Sequence, residues 1–465
     1  MNYAILINKN NKLKNNYLNR INLITTKDQD NEDVLVEEKT YKAYLELQSY
    51  LKEQNINIVI DSAYRSIEQQ EELLNEFREK YGEEYTAKYV APVGTSEHHT
   101  GLAIDLSLVV DGKILEDSMD NEIYVNTYKK IHNILHNFGF ILRYPQGKEE
   151  ITGYSYEPWH IRYVGKFISK IIYENNYTLE EYLTNFSGVL VINKPKDVTS
   201  FDVVNEISHL FGIKRIGHTG TLDPLAEGVL VVTIGQATKI AELLTAEYKE
   251  YEAGVLLGVE TDTLDITGKT LNTKTVPLNL DIKQAVNSFK KTYLQEVPIY
   301  SAVKVNGKKL YEYARNNEKV ELPKKEVTIK EIELLSTDMN TFKFKCLVSK
   351  GCYIRSLIRD IAISVDTYAT MTSLVRTKQG KFTLEQSNTL EELKQGTYQL
   401  YKIEEVLDYP VIKLDKELEY KVLTGQPIKN TFNIIDKVIF INNDNKLLGI
   451  SSVKEDYLKT WKNFN

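Results

Sequence analysis

Two cysteines in 465 residues, Cys346 and Cys352, cannot build a disulfide framework. Such scarcity fits a reducing compartment. No stretch approaches the ~18 apolar residues of a membrane span. The opening MNYAILINKNNKLKNNYLNR holds no more than five apolar residues in a row. A secretory leader needs a longer apolar core behind a basic start. These absences together read as a cytoplasmic protein with no membrane segment. Internal repeats and low-complexity tracts are also missing.

What is present is ordinary globular material, 42% hydrophobic and 26% charged. The length allows two to four domains, each with its own core. Charge is unevenly shared. Residues 1–185 carry a net −9, and residues 186–465 a net +2. The near-neutral second part leaves room for a basic face toward nucleic acid.

The pattern along the chain is α+β throughout. Residues 1–30, polar and Asn/Lys-rich, read as an extended arm. KTYKAYLELQSYLKEQ has helical spacing and NINIVIDSAYRS a strand pattern ending in a turn. The charged run SIEQQEELLNEFREKYGEEYTAKYVA reads as one amphipathic helix. A helix then ends at Gly139, and a closing helix runs to about Leu183. At TNFSGVLVINKP the pattern restarts with no spacer: strand GVLVINKP, helix SFDVVNEISHLFG, loop HTGTLDPLAEG, strand VLVVTIG. The expected domains are 1–185, a mixed α/β domain with a central sheet at 186–395, and a small β-rich unit at 396–465.

Two constellations carry chemistry. In the first, SEHHTGLAID sets His98 and Asp105 seven apart around Gly101, and EPWH sets Glu157 three residues before His160. Two His and one carboxylate are the three protein ligands of a catalytic zinc that keeps a position open for water. A further Glu beside the last ligand is placed to take the proton of that water. Pro158 argues against a helical HExxH arrangement. The strings SAYRS, SEHHTGLAID, GFILRYP and EPWHIRYVG, over about residues 40–170, resemble the VanY-type D-alanyl-D-alanine carboxypeptidases, zinc peptidases of the M15 family. The resemblance implies zinc on His98, Asp105 and His160, Glu157 as base and Arg65 as oxyanion stabiliser. It also implies Gln70 as a substrate contact and a peptidoglycan-type peptide ending in D-alanine as substrate. His99, His132 and His136 are left as structural. The missing export signal is a departure, since such enzymes trim peptidoglycan outside the membrane.

In the second, GHTGTLDPLAEG frames one Asp with three Gly. Neither a Walker Lys-Ser/Thr nor a spaced G-x-G-x-x-G is present. One carboxylate without a visible partner suits nucleophilic attack better than two-carboxylate glycoside hydrolysis. Six ordered strings over residues 187–382, among them GHTGTLDPLAEGVL, PIYSAVKVNGKKLYEYAR and GCYIRSLIRDI, resemble the TruB-type tRNA pseudouridine synthases. The resemblance implies isomerisation of uridine 55 in the tRNA T arm, with no metal or cofactor, and a small PUA-like domain at the end. It assigns Asp223 as nucleophile, Tyr251 as the stacking and proton-transfer group and Arg355 as the partner of the nucleophile. Leu374 would pack the pocket, and His218 and Lys194 would line the RNA path. Glu227 and Cys352 depart from the family pattern.

The leading expectation is a fusion of the two enzymes. Two others stay open at this level: the same synthase with a non-catalytic N-terminal peptide-binding module, or an artificially joined reading frame.

Overall fold

The computed structural model describes residues 2–14, 16–116, 118–245, 248–277 and 279–464. It divides into two compact units. The first holds the chain up to Phe186 with Glu206–Lys214; the second holds Ser187–Asn205 and the chain from Arg215 onward.

The first unit is built on an antiparallel sheet in the order Asn57–Ser62, Ala103–Val110, His160–Tyr163, Phe140–Leu142. The Ala103–Val110 strand is buried at its first six positions, as a strand covered on both faces must be. Helix Glu38–Glu53 lays Tyr44, Leu47 and Leu51 against Ile58, Ile60, Ile104 and Leu106. The sheet register sets Asp105 directly opposite His160. His98 lies in the short turn Glu97–Thr100, which closes on Gly101 with φ +67. A Cβ there would come 2.8 Å from Leu23 Cδ2, so only glycine lets the hairpin Leu23–Lys27/Asp33–Glu37 close over this turn.

Two expectations need correction. The polar N-terminus is not a free arm: Ala4, Ile7 and Tyr17 are buried. Buried Arg162 donates to the carbonyls of Tyr3 and Ile5, both at 3.0 Å. An internal cation thus anchors a segment too polar to anchor itself. The charged run after Ser66 is two helices, Ile67–Tyr81 and Glu83–Tyr89, broken at Gly82 with φ +81. The helical period continues across this break, so periodicity alone could not show it.

The second unit carries a mixed sheet. Its order is Thr292–Glu296, Lys324–Asp338, Thr341–Ser349, Tyr248–Leu257, Ala369–Gln379, Glu227–Ile234, Gly188–Lys194, Leu400–Tyr401. Ala369–Gln379 and Glu227–Ile234 run parallel; their neighbours on this path are antiparallel. Helix Ile354–Ser364 buries Leu357, Ile358 and Ile361 in a core shared with Val255, Phe344 and Met371. A separate five-stranded sheet formed by residues 411–463 has its own core around Leu414, Val422 and Phe440. Its Ile439, Ile450 and Phe464 also join Val189, Val191 and Val231 of the large sheet. Among the described residues, no helix is long and apolar enough to cross a membrane.

Candidate functional site

In the first unit the ligand atoms of His98, Asp105 and His160 lie within 4.8 Å of one another. His98 Nδ1 sits 2.5 Å from the Ala63 carbonyl oxygen, which places the ring proton there. Its Nε2 then turns a lone pair toward Asp105 Oδ2, 3.2 Å away. His160 Nδ1 lies 2.9 Å from Asp105 Oδ1 and 3.8 Å from Glu157 Oε2. Asp105 Oδ1 is buried and faces only this imidazole. Two imidazoles and a buried carboxylate converging within 4.8 Å form a donor set that fits zinc.

The local field is strong. Burial pushes the Glu157 carboxyl up to about 8 despite the neighbouring His160. Burial opposes charge on His160 too, but the Asp105 carboxylate prevails and raises the ring to about 9. Burial also works against Asp105, yet His98 and His160 hold it well below the usual carboxylate range. These residues share a cavity of about 510 Å³ with Arg65 and the aromatic side chains of Tyr144, Tyr154 and Trp159.

Arg65 donates from Nη1 to Gln70 Oε1 at 3.0 Å and from Nη2 to Ser62 Oγ at 2.9 Å. Gln70 was expected to touch substrate. It is fully buried, and its Nε2 donates to the Ala91 carbonyl at 2.8 Å. Both ends of the amide are engaged, so Gln70 positions Arg65 at the wall of this cavity. His99 bonds the Arg65 carbonyl, and His132 the Pro158 carbonyl.

Sequence reasoning missed the support beneath this cluster. Glu97 is buried, and its Oε1 accepts from Arg143 Nε at 2.8 Å and from Arg162 Nη1 at 2.7 Å. Its Oε2 lies 3.9 Å from His160 Nε2. Burial alone would raise this carboxyl; the two guanidiniums hold it well below its ordinary range. Arg143 also grips Glu180 at 2.9 and 2.6 Å. A carboxylate behind a ligating imidazole fixes the ring. The available signal was an Arg inside each of the apolar strings GFILRYP and EPWHIRYVG.

In the second unit Asp223 stands between Ile216–His218 and Glu227–Ile234. Arg355 Nε lies 2.9 Å from Asp223 Oδ2. Its terminal nitrogens donate to the Thr263 and Tyr300 carbonyls at 2.9 and 3.1 Å. Asp223 keeps about a third of its side chain exposed, while Arg355 is buried. Tyr251 is buried beside Leu222, Leu225 and Leu374, and burial raises its hydroxyl pKa against the pull of Arg376. Leu374 thus packs in the core behind Tyr251. His218 is half-buried, with its Nδ1 unbonded.

Two buried cations hold the Asp223 loop from within. Arg376 donates from Nε to the Val229 carbonyl at 2.6 Å and from Nη2 to that of Gly220 at 2.9 Å. Lys194, expected along the RNA path, is fully buried. Its Nζ donates to the carbonyls of Pro195, Val198 and Pro224 at 2.8, 2.6 and 3.3 Å. Lys194 is therefore a loop anchor rather than a surface contact, and burial lowers it to about 8 even though Glu227 and Asp223 favour its charge. Ser200 Oγ accepts from the Leu222 amide at 2.9 Å and donates to the Leu222 carbonyl at 3.2 Å. Gly228 has φ +99, and a Cβ there would meet the Arg376 carbonyl oxygen at 2.3 Å. Glu227, one of the two departures, starts the following strand; Cys352, the other, sits 3.8 Å from Gln295 Nε2.

Comparison with known proteins follows the same division. Residues 208–354 match the model for the TruB family pseudouridylate synthase N-terminal domain. The tRNA pseudouridine synthase B of Caldanaerobacter subterraneus is 41% identical over 278 residues, covering 58% of this chain and 97% of that protein. That of Staphylococcus aureus is 42% identical over 304 residues, covering 60% of this chain and all of the relative. The chain belongs to the tRNA pseudouridine synthase B family. Its first unit is VanY-like: residues 33–166 match the model for D-alanyl-D-alanine carboxypeptidase. A crystal structure of the vancomycin-resistance D,D-pentapeptidase VanY with Zn(II) is similar at 29% identity and a TM-score of 0.34, covering 40% of this chain and all of that one. The synthase family thus accounts for the second unit, and the carboxypeptidase model for the first.

Proposed function

We propose that this chain carries two enzymes. Its second unit converts uridine 55 of the tRNA T loop to pseudouridine, and its first is a zinc D-alanyl-D-alanine carboxypeptidase acting on peptidoglycan-type peptides. The reading divides the chain into 1–185, 186–395 and a PUA-like RNA-holding domain at 396–465.

The observation that carries the synthase reading is the Asp223–Arg355 pair in a loop fixed from behind. Arg355 aims the carboxylate. Asp223 is the nucleophile toward the nucleoside flipped out of its stack. The N1–C1′ bond breaks as the Asp223 carboxylate takes C1′, the uracil turns, and C5 then takes C1′ back and frees the carboxylate. The C5 proton is then lost and N1 gains one, so the product is an isomer and no cofactor is consumed. Tyr251 offers an aromatic plane to the base and takes part in the proton transfer. Incubating the protein with a tRNA transcript and mapping pseudouridine tests this; product at position 55 is expected.

The peptidase reading rests on the converging His98, Asp105 and His160 cluster. When bound, zinc would polarise the scissile carbonyl and activate water. Glu157, buried beside His160, takes and returns the proton. Arg65, aimed by Gln70 and Ser62, offers a charged donor to the developing oxyanion. Release of D-alanine from a muramyl pentapeptide tests this half. Zinc content without release would favour a peptide-binding module.

A further inference from the structure

The helix that carries Arg355 is not capped by its own residues. Tyr353 stands at the N-cap of Ile354–Ser364 and offers no side-chain cap. A helix start is ordinarily tied by an N-cap oxygen, and by a Glu or Gln three positions on that reaches back to the N-cap amide. Here the residue three positions on is Ser356, and its hydroxyl donates to the Glu296 carbonyl at 2.8 Å. The carboxamide comes from another element. Gln295, in the strand Thr292–Glu296 at the end of the large sheet, is fully buried. Its Oε1 accepts from the Tyr353 amide at 2.8 Å, and its Nε2 donates to the Tyr353 carbonyl at 3.2 Å. Nε2 also donates to the Tyr293 hydroxyl at 2.9 Å, which in turn donates to Asp360 Oδ2 at 3.1 Å. The Tyr300 carbonyl that holds Arg355 follows the same strand four residues past Glu296.

One side chain thus grips both backbone groups of the residue two places before Arg355. An N–H and a C=O face it in fixed order, so only a neutral carboxamide answers both at once. A carboxylate would set an oxygen against the Tyr353 carbonyl, and an apolar side chain would leave the Tyr353 amide unpaired. Arg355 meets Asp223 through Nε at 2.9 Å. A displaced helix start is therefore carried into that pair through two residues and one guanidinium. We propose that Gln295 is a positioning residue for the isomerisation: it sets where the Arg355 guanidinium stands, and so where the Asp223 carboxylate points. This rests on the reading of Asp223 as the nucleophile. Gln295 acts through Tyr353 and Arg355, from inside the unit.

The test uses the full chain with Gln295→Met, Arg355→Lys and the two combined. One readout needs no turnover. In NMR spectra of protein carrying isotope-labelled arginine, the Arg355 Nε–H signal is found by its loss in Arg355→Lys. It should be shielded from water exchange in the unaltered chain and exchange freely in Gln295→Met. On a tRNA transcript, the single-turnover rate constant of Gln295→Met should fall about 100-fold, as a displacement of about 1 Å at a reacting group does. Its tRNA affinity should stay within about threefold of the unaltered chain. Both are read well below the melting temperature; a merely structural Gln295 would lower that temperature and leave the rate constant alone. Gln295→Asn keeps the amide one methylene short, and should show the same split if Gln295→Met does not fold. The combined variant should be no slower than Arg355→Lys, since both changes spoil one pair. An unaltered chain that forms no pseudouridine would defeat the nucleophile reading, and the Arg355 signal would then decide the proposal alone. An unmoved Arg355 signal, a rate constant within about threefold of the unaltered chain, or losses that multiply in the combined variant would each overturn it.

Discussion

Arg355 gives its Nε to Asp223 and both terminal nitrogens to the carbonyls of Thr263 and Tyr300. The guanidinium is fixed on three sides, so the carboxylate it faces is fixed as well. Asp223→Asn keeps the shape and removes the charge. Pseudouridine formation should fall by on the order of 10³ or more, while filter-binding affinity for tRNA changes little. Arg355→Lys should also be severely impaired, because one ammonium cannot span three acceptors in a plane. Near-normal turnover by Asp223→Asn would sink the assigned mechanism.

Metal content tests the first unit directly. Protein purified under zinc-replete conditions should hold about one zinc per chain. His160→Ala should lose it, since that ring supplies one of three converging donors. Elemental analysis reads both, and a zinc-free unaltered protein would remove the peptidase reading.

Glu157→Gln separates binding from turnover. The amide preserves shape and lies outside the three converging ligands, so zinc should remain. It cannot carry the proton, so D-alanine release should drop by about 10²–10⁴. Equal loss of metal and turnover would make Glu157 a ligand instead.

The support beneath His160 should matter for stability. Glu97→Gln leaves Arg143 and Arg162 buried before a neutral amide. Breaking such a set costs about 3–5 kcal/mol, and zinc affinity should fall about 10–100-fold with it. Denaturant titration and competition with a chelator measure the two effects. A silent substitution would show that Glu180 alone suffices to hold Arg143.

Gly228→Ala should disable the second unit without touching a reacting group. Its φ of +99 and the 2.3 Å approach to the Arg376 carbonyl leave no room for a methyl group. The strain should exceed ~1 kcal/mol, with pseudouridine formation falling together with the melting temperature.

The groups proposed to carry the chemistry were legible as candidates because such chemistry constrains residue type tightly. His98, Asp105, Glu157, His160, Asp223 and Arg355 stand in short strings whose residue types admit few uses. Their support was not legible. Glu97, Arg143, Lys194 and Arg376 are charged residues deep inside, and a sequence places such residues on the surface by default. Their partners are carbonyls and carboxylates brought near by strand register, which periodicity does not encode. Gln70 shows the same limit, since its bond to Arg65 is set by the fold and not by the string SAYRS. The N-terminal segment was misread because its order comes from Arg162, about 157 residues away.

The loop around Asp223 is stitched to the sheet by Arg376, to the segment after the first strand of this unit by Lys194 and to the start of helix Ser200–Phe211 by Ser200. Its backbone amides should therefore exchange with deuterated solvent as slowly as those of the core strands. The Leu222 amide, bonded to Ser200 Oγ, and the Ala226 amide, bonded to the Asp223 carbonyl, should open only when the whole unit opens. A nucleophile on a surface loop would then have the exchange lifetime of a buried strand, and the free enzyme would meet its RNA with that part of the site already set.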